Sequence, residues 1–287
     1  MTSSSSAGIP APAGRIEQHP DGYTLTFERR LDFPVDHVWD VLTNRDKVAQ
    51  WLGIITPAWQ IGKEYRLDMG ESAVTGTVLQ MSPGASLQLT WEDPLGDESV
   101  LDWQVHQSAD GAVLQFRTHE NTADFLTEGA AGWQGILEAF DAVVAGIEPV
   151  RTDDPDQWLG LRDAYAEDFD VSPTMGRLDN LRTPAEVVFE RWYSAPAGDV
   201  GPALERAAAR FGIGQGARID IGEDAGHVRV IIRDPVTGGP DAAAERLAAW
   251  HMALDAAGAG LAGHEANPSS RRLVALKDFY RGPADGA

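Results

Sequence analysis

The chain of 287 residues contains no cysteine, which removes disulfides, thiol nucleophiles and thiolate metal sites together. Positive charge is scarce: 23 Lys and Arg stand against 44 Asp and Glu, a formal net charge of -21. A phosphate backbone is bound by clustered cations, so nucleic acid is excluded as an expected partner. No apolar run reaches the roughly 18 residues of a membrane-spanning helix, and no membrane span is expected. Also missing are G-x-S-x-G, H-E-x-x-H and any Walker or dinucleotide glycine pattern set after a strand. Gly212-Ile213-Gly214-Gln215-Gly216 lacks the companions of those motifs and reads as a turn. No catalytic residue, cofactor or metal is therefore assigned. The start, Met1 to Gly14, has neither a basic leader nor an apolar stretch; residues 1–20 are expected to be a disordered tail, and the protein to be cytoplasmic.

What is present begins with a helix. Between Gly129 and Gly146, Trp133, Ile136, Leu137, Phe140, Val143 and Val144 recur at three- and four-residue steps, with Ile147 continuing the stripe. One apolar side of a helix results, and it needs a partner. Several runs of two-residue alternation precede it, so the partner expected is one face of an antiparallel sheet. The first strand is Tyr23–Leu31, followed by two short helices carrying Val38, Trp39 and Leu42, then Val48, Trp51 and Leu52. Five further strands are predicted over 64–69, 73–81, 86–92, 99–107 and 111–118. Their inner faces would carry Tyr65, Leu67 and Met69; Val74, Gly76 and Val78; Leu87, Leu89 and Trp91; Leu101, Trp103 and Val105; Leu114 and Phe116. A last helix follows at Pro155, with Trp158, Leu161, Tyr165 and Phe169 at helical spacing.

After a segment expected to be a linker, 171–184, the pattern returns. Phe27, Glu28, Arg29, Pro34, Val38 and Leu42 recur 162 residues later as Phe189, Glu190, Arg191, Pro196, Val200 and Leu204. Trp133 and Leu137 recur 117 residues later as Trp250 and Leu254, and Leu161 and Tyr165 recur 115 later as Leu276 and Tyr280. The offset shortens across the strand region, so the organisation predicted is a complete domain over 21–170 and a shortened repeat over 185–287, with a thin sheet and no room for an enclosed cavity. Charge divides the same way: residues 1–170 hold 29 acidic and 10 basic residues, and 171–287 hold 15 and 13. The acidic runs Glu92–Glu98 and Asp153–Asp156 read as solvated loops.

The order of strand, two short helices, meander and long closing helix is an α+β helix-grip arrangement, START-like in class. Within it the chain resembles the activator of 90-kDa heat-shock protein ATPase homologue family, part of the superfamily that includes polyketide cyclases and the birch-pollen allergen. The resemblance rests on F-E-R-x-x-x-x-P-x-x-x-V-W-x-x-L (Phe27–Leu42), Trp51-Leu52-Gly53, Gly76 with Val78, Leu89-Thr90-Trp91-Glu92, Thr118-His119-Glu120, Gly132-Trp133, and the W-x-x-L-x-x-x-Y of Trp158–Tyr165. It implies a hydrophobic cleft between sheet and long helix, and no common chemistry. The N-x-W-H-W segment that the family's co-chaperones carry in a separate domain does not occur in these residues.

On the faces read above, such a cleft would be lined by Trp51, Tyr65, Leu67, Val78, Leu89, Trp91, Trp103, Phe116, Trp133 and Leu137. Two readings of the aromatics stand: they fill the core, or some of them line a pocket whose indole N–H groups orient a ligand. The function expected is noncatalytic binding of a small hydrophobic or aromatic molecule, the alternatives being a protein-binding, co-chaperone-like adaptor and, behind it, a cyclase- or hydrolase-type enzyme. His106 and His119, with Asp102, would suit a metal or an acid–base pair if neighbouring strands brought them together; the competing reading is two ordinary surface histidines.

Overall fold

The computed structural model describes residues 10–70, 72–92, 95, 99–150, 155–224, 226–264 and 269–282. The chain divides into two units, Met1–Val171 and Ser172–Ala287. In the first unit, β1 (Gly14–His19) and β2 (Gly22–Leu31) lead into α1 (Val35–Thr43) and α2 (Arg45–Trp51). Asn44 separates the two helices, and its side chain accepts from the Asp46 backbone N–H at 3.1 Å, capping α2. There follow β3 (Ile54–Thr56), β4 (Glu64–Asp68), β5 (Ala73–Ser82), β6 (Ser86–Trp91), β7 (Ser99–Ser108) and β8 (Gly111–Glu120), and then α3 (Leu126–Val144) and α4 (Pro155–Phe169). All eight strands form one antiparallel sheet in the order β1-β2-β8-β7-β6-β5-β4-β3. This is the α+β helix-grip fold that the alternation and the closing stripe predict.

Alternation decides which side chains meet α3. Leu87 and Leu89, Leu101, Trp103 and Val105, and Leu114 and Phe116 are all buried in one cluster with Trp133, Leu137, Phe140 and Val144 of the helix. The register irregularity in β5 between Val78 and Gln80 turns Leu79 outward, where it is exposed. The helix is held at its far end by His37 of α1, whose Nε2 lies 2.9 Å from the Val144 carbonyl oxygen.

The second unit holds β9 (Arg177–Asp179), β10 (Ala185–Tyr193), α5 (Ala197–Arg210), β11 (Arg218–Asp224), β12 (His227–Val236), α6 (Gly239–Leu261) and α7 (Ser270–Arg281). Its four strands lie in the order β11-β12-β10-β9, which matches β7-β8-β2-β1. The registers match as well. Arg15 pairs with Thr26 and Arg177 with Val188, both pairs 162 residues apart. Phe27 pairs with Phe116 and Phe116 with Trp103; Phe189 pairs with Ile232 and Ile232 with Ile219. A Cβ on Gly14 would come within 2.6 Å of the Phe27 ring, and one on Gly176 would collide with the Phe189 ring in the same manner. At both places only glycine lets an aromatic ring lie flat across the neighbouring strand.

Several expectations are corrected. The tail expected over 1–20 includes β1, an edge strand with little apolar character, in which Gly14 and Ile16 alone are buried. The linker expected over 171–184 contributes β9, again recruited by backbone pairing rather than by apolar side chains. Ile147 lies beyond the end of α3 and is 62% exposed, so the stripe stops at Val144. The acidic runs at 92–98 and 153–156, and the turn expected at 94–96, fall largely outside the described residues.

Candidate functional site

Between the sheet and α3, the aromatic residues expected to line a cleft make contact with one another. Trp103 and Phe116 face each other across β7 and β8 with ring centroids 4.2 Å apart. Trp133 of α3 sits over both, at 5.9 Å from Trp103 and 4.4 Å from Phe116. Trp51 enters from α2 and meets Trp103 edge-on at 5.8 Å and Phe140 at 5.0 Å. Each such pair contributes about 0.5–1.5 kcal/mol beyond its buried area. Trp51, Trp103, Phe116 and Phe140 are fully buried, so this half of the space is packed core. The exposed margin is Trp91, whose ring lies 5.3 Å from Trp133 and which is only partly buried.

Tyr65 stands apart from that set. It pairs across β4 and β5 with Gly76, and its ring meets Trp59 edge-on at 6.1 Å. Its hydroxyl donates to the Thr90 carbonyl at 2.7 Å. Burial, with a smaller contribution from the Glu92 charge, raises its pKa above the ordinary value, so the phenol stays neutral. Leu67, Val78, Leu89 and Leu137 are buried in the same cluster. The structure thus brings all ten predicted lining residues into one core, with Trp51, Trp91, Trp103, Phe116 and Trp133 in ring-to-ring contact and Tyr65 grouped with Trp59.

Polar groups here are mostly spent on the protein itself. The Trp51 indole N–H donates to the Val41 carbonyl at 3.1 Å, tying α2 to α1. The exception is the Trp59 indole nitrogen, which is buried without a hydrogen-bond partner. Ser99 and Thr118 are buried and continue the two-residue alternation of Leu101 and Phe116, a signal that was available in the sequence. Thr127 and Glu128 are buried at the start of α3, where the Thr127 hydroxyl donates to the Glu128 carboxylate at 3.0 Å. The histidine pair is excluded by register: His119 lies opposite Val100 and His106 opposite Val113. Six residues of strand, about 20 Å, separate them.

A second polar arrangement links α3, α4 and the start of β1. The Tyr165 hydroxyl donates to Gln134 Oε1 at 2.7 Å and accepts from the Gly14 N–H at 2.9 Å and the Ala13 N–H at 3.2 Å. Gln134 Oε1 also accepts from the Ala13 N–H at 2.9 Å, and its amide nitrogen donates to the Ala11 carbonyl at 3.2 Å. In the second unit the Tyr280 hydroxyl accepts from the Gly176 N–H at 3.1 Å and lies 2.8 Å from His251 Nδ1. Beside the first of these, Arg29 Nε meets Asp141 Oδ2 at 3.1 Å while Oδ1 is buried without a partner. Burial raises the Asp141 carboxyl to about 6, the Arg29 charge offsetting only part of the effect.

The first unit is an eight-stranded sheet closed by a long helix, with an aromatic core between them. Residues 32–145 match the family Activator of Hsp90 ATPase homolog 1-like protein. The match runs from the end of β2 through α3 and takes in every predicted lining residue. It covers about two fifths of the chain and stops short of the second unit. Among solved structures, CalU16 from Micromonospora echinospora is 18% identical, covering 54% of this chain and 92% of its own, with a TM-score of 0.45. DynU16, from the dynemicin biosynthetic locus, is 16% identical over 84% of this chain and 100% of its own, with a TM-score of 0.44. The Aha1 dimer from Colwellia psychrerythraea is 15% identical over 42% of this chain and 95% of its own, with a TM-score of 0.39. No curated protein matches the chain. Among the described residues no helix is long and apolar enough to cross a membrane.

Proposed function

We propose that the first unit binds a small hydrophobic or aromatic molecule between its sheet and α3, without catalysing a reaction on it. The observation that carries this reading is the gradient along the aromatic cluster, from the fully buried Trp51 and Trp103 to the partly exposed Trp91 beside Trp133. A flat apolar ligand stacks at that margin on one of the two tilted indoles and meets the other along its edge, and the packed half behind it supplies a rigid floor. The likeness to Activator of Hsp90 ATPase homolog 1-like proteins supports a second reading, an adaptor that binds a protein partner. We also propose that residues 172–287 are a shortened copy of the first unit, on the strength of the shared strand order and register, and that the protein works in the cytoplasm.

Native mass spectrometry of the freshly purified chain, with Trp fluorescence titrations against fatty acids and polycyclic aromatics, tests the ligand reading. A retained or titrated ligand that is lost on Trp91→Ala and on Trp133→Ala, with the circular dichroism spectrum unchanged, supports it. No binding by any member of the panel, together with a protein partner whose capture survives both substitutions, rejects it in favour of the adaptor. Limited proteolysis between 172 and 184 tests the division, which predicts a folded amino-terminal fragment.

A further inference from the structure

We infer that the chain self-associates through the free edge of its second sheet, β11 of one copy pairing antiparallel with β11 of another. The two sheets share one register over their common strands. Ile219 pairs with Ile232 and Ile232 with Phe189, as Trp103 pairs with Phe116 and Phe116 with Phe27. So β11 occupies the place in its sheet that β7 occupies in the larger one, 116 residues earlier. There β7 is an interior strand: Trp103 pairs with Leu87, Leu101 with Leu89, and the Val105 N–H donates to the Ala85 carbonyl at 2.8 Å. Among the described residues the smaller sheet has no counterpart of β6, and β11 is its last strand.

Backbone groups in an antiparallel strand alternate between its two neighbours. Val105 bonds to the β6 side, so its equivalent Ile221 directs its N–H and C=O away from β12, and Ile219 and Glu223 do the same. Such an edge is a template for another strand. It runs for seven residues without proline, and Ile221 is 40% exposed on it.

The chemistry of β11 favours a second copy as the added strand. Antiparallel pairing about a two-fold axis centred on Ile219 sets Ile219 against Ile219, Ala217 against Ile221, and Arg218 against Asp220 of the other copy. The last two contacts occur twice, and opposite charges placed directly across a ladder attract. Centring the axis one residue further on would set Asp220 against Asp220, so charge disfavours that register. At present the exposed Arg218 reaches the buried Glu186 at 3.3 Å, where Arg182 also faces that carboxylate at 3.6 Å, and the exposed Asp220 reaches Arg233 at 3.5 Å, so Arg218 and Asp220 can both exchange partners. Global charge is permissive as well, because residues 171–287 carry 15 acidic and 13 basic residues while the rest of the acidity lies in 1–170.

Sedimentation velocity of the full chain over about 1–100 µM, the range of a moderate dimer, is the test. The result expected is a concentration-dependent species of twice the 30.9 kDa chain mass. Ile221→Pro removes an N–H that bonds to nothing in its own sheet, and proline is tolerated at edge positions of that kind, so this variant is expected to be monomeric with an unchanged circular dichroism spectrum. Arg218→Asp alone and Asp220→Arg alone are each expected to weaken the dimer about tenfold by setting like charges opposite one another, and the double exchange to restore it. A chain that stays monomeric throughout the range overturns the inference. So does a dimer indifferent to Ile221→Pro, or one whose single charge exchanges are silent; if Ile221→Pro proves misfolded, the charge exchanges decide.

Discussion

Replacing Tyr165 by Phe removes one oxygen atom from a residue that is completely buried, with no loss of ring or volume. That oxygen serves three partners: it donates to Gln134 and accepts from the backbone of Ala13 and Gly14. Ala13 keeps a partner in Gln134 after the change, whereas Gly14 loses the acceptor that meets its buried N–H. An unsatisfied buried donor costs about 1–3 kcal/mol, and the lost Tyr165–Gln134 bond adds about 1 kcal/mol. The expected destabilisation is therefore about 2–4 kcal/mol. It should concentrate where β1 joins the sheet, so native-state hydrogen exchange on the amides of β1 and β2 is the appropriate assay, backed by urea unfolding. Gln134→Leu should couple to it: the double variant is expected to cost about 1 kcal/mol less than the two single losses together, because the two residues share a bond. Tyr280→Phe should act in the same way on the amides of β9 and β10. A Tyr165→Phe chain within about 0.5 kcal/mol of the parent, the range of an ordinary surface change, would refute the claim that this hydroxyl holds β1 in place.

Three further outcomes follow from individual sites. Gly76→Ala drives a Cβ into the Thr90 carbonyl oxygen and to 2.8 Å from the Tyr65 hydroxyl; a backbone group cannot swing aside, so a loss of about 3 kcal/mol is expected in urea unfolding. Asp141 has a folded pKa of about 6, above the unfolded value, so the folded state binds its proton more tightly and stability falls as pH rises from about 4 to 6. Its side chain is 35% exposed, and after discounting for solvent screening the effect is about 1 kcal/mol; Asp141→Asn should flatten this part of the stability profile, and an unchanged slope would contradict it. Trp51→Phe should cost at least about 1 kcal/mol more than Trp59→Phe, since only the former breaks a buried indole hydrogen bond; equal losses in thermal unfolding would mean that the Trp59 N–H is satisfied.

Much of this protein was legible in its residues taken one strand or helix at a time. Leu101, Trp103 and Val105 alternate with polar neighbours, and burying one face of a pleated strand leaves no other arrangement for them. The same local chemistry carried the stripe of α3, and the return of the pattern at Phe189 pointed to a second sheet. The edge strands β1 and β9 were not legible, because they join through backbone groups that every sequence possesses. Nor could spacing say that His106 and His119 lie apart, since cross-strand neighbours depend on register and register on the turn between β7 and β8. The Tyr165–Gln134–Gly14 bonds join residues up to 151 positions apart, and nothing periodic connects them. The sequence alone thus determined which faces are apolar and in what order the elements come. Which rings touch, which polar atoms find partners and which edge is left unpaired were decided only by tertiary structure, because those depend on distances between segments that folding alone brings together.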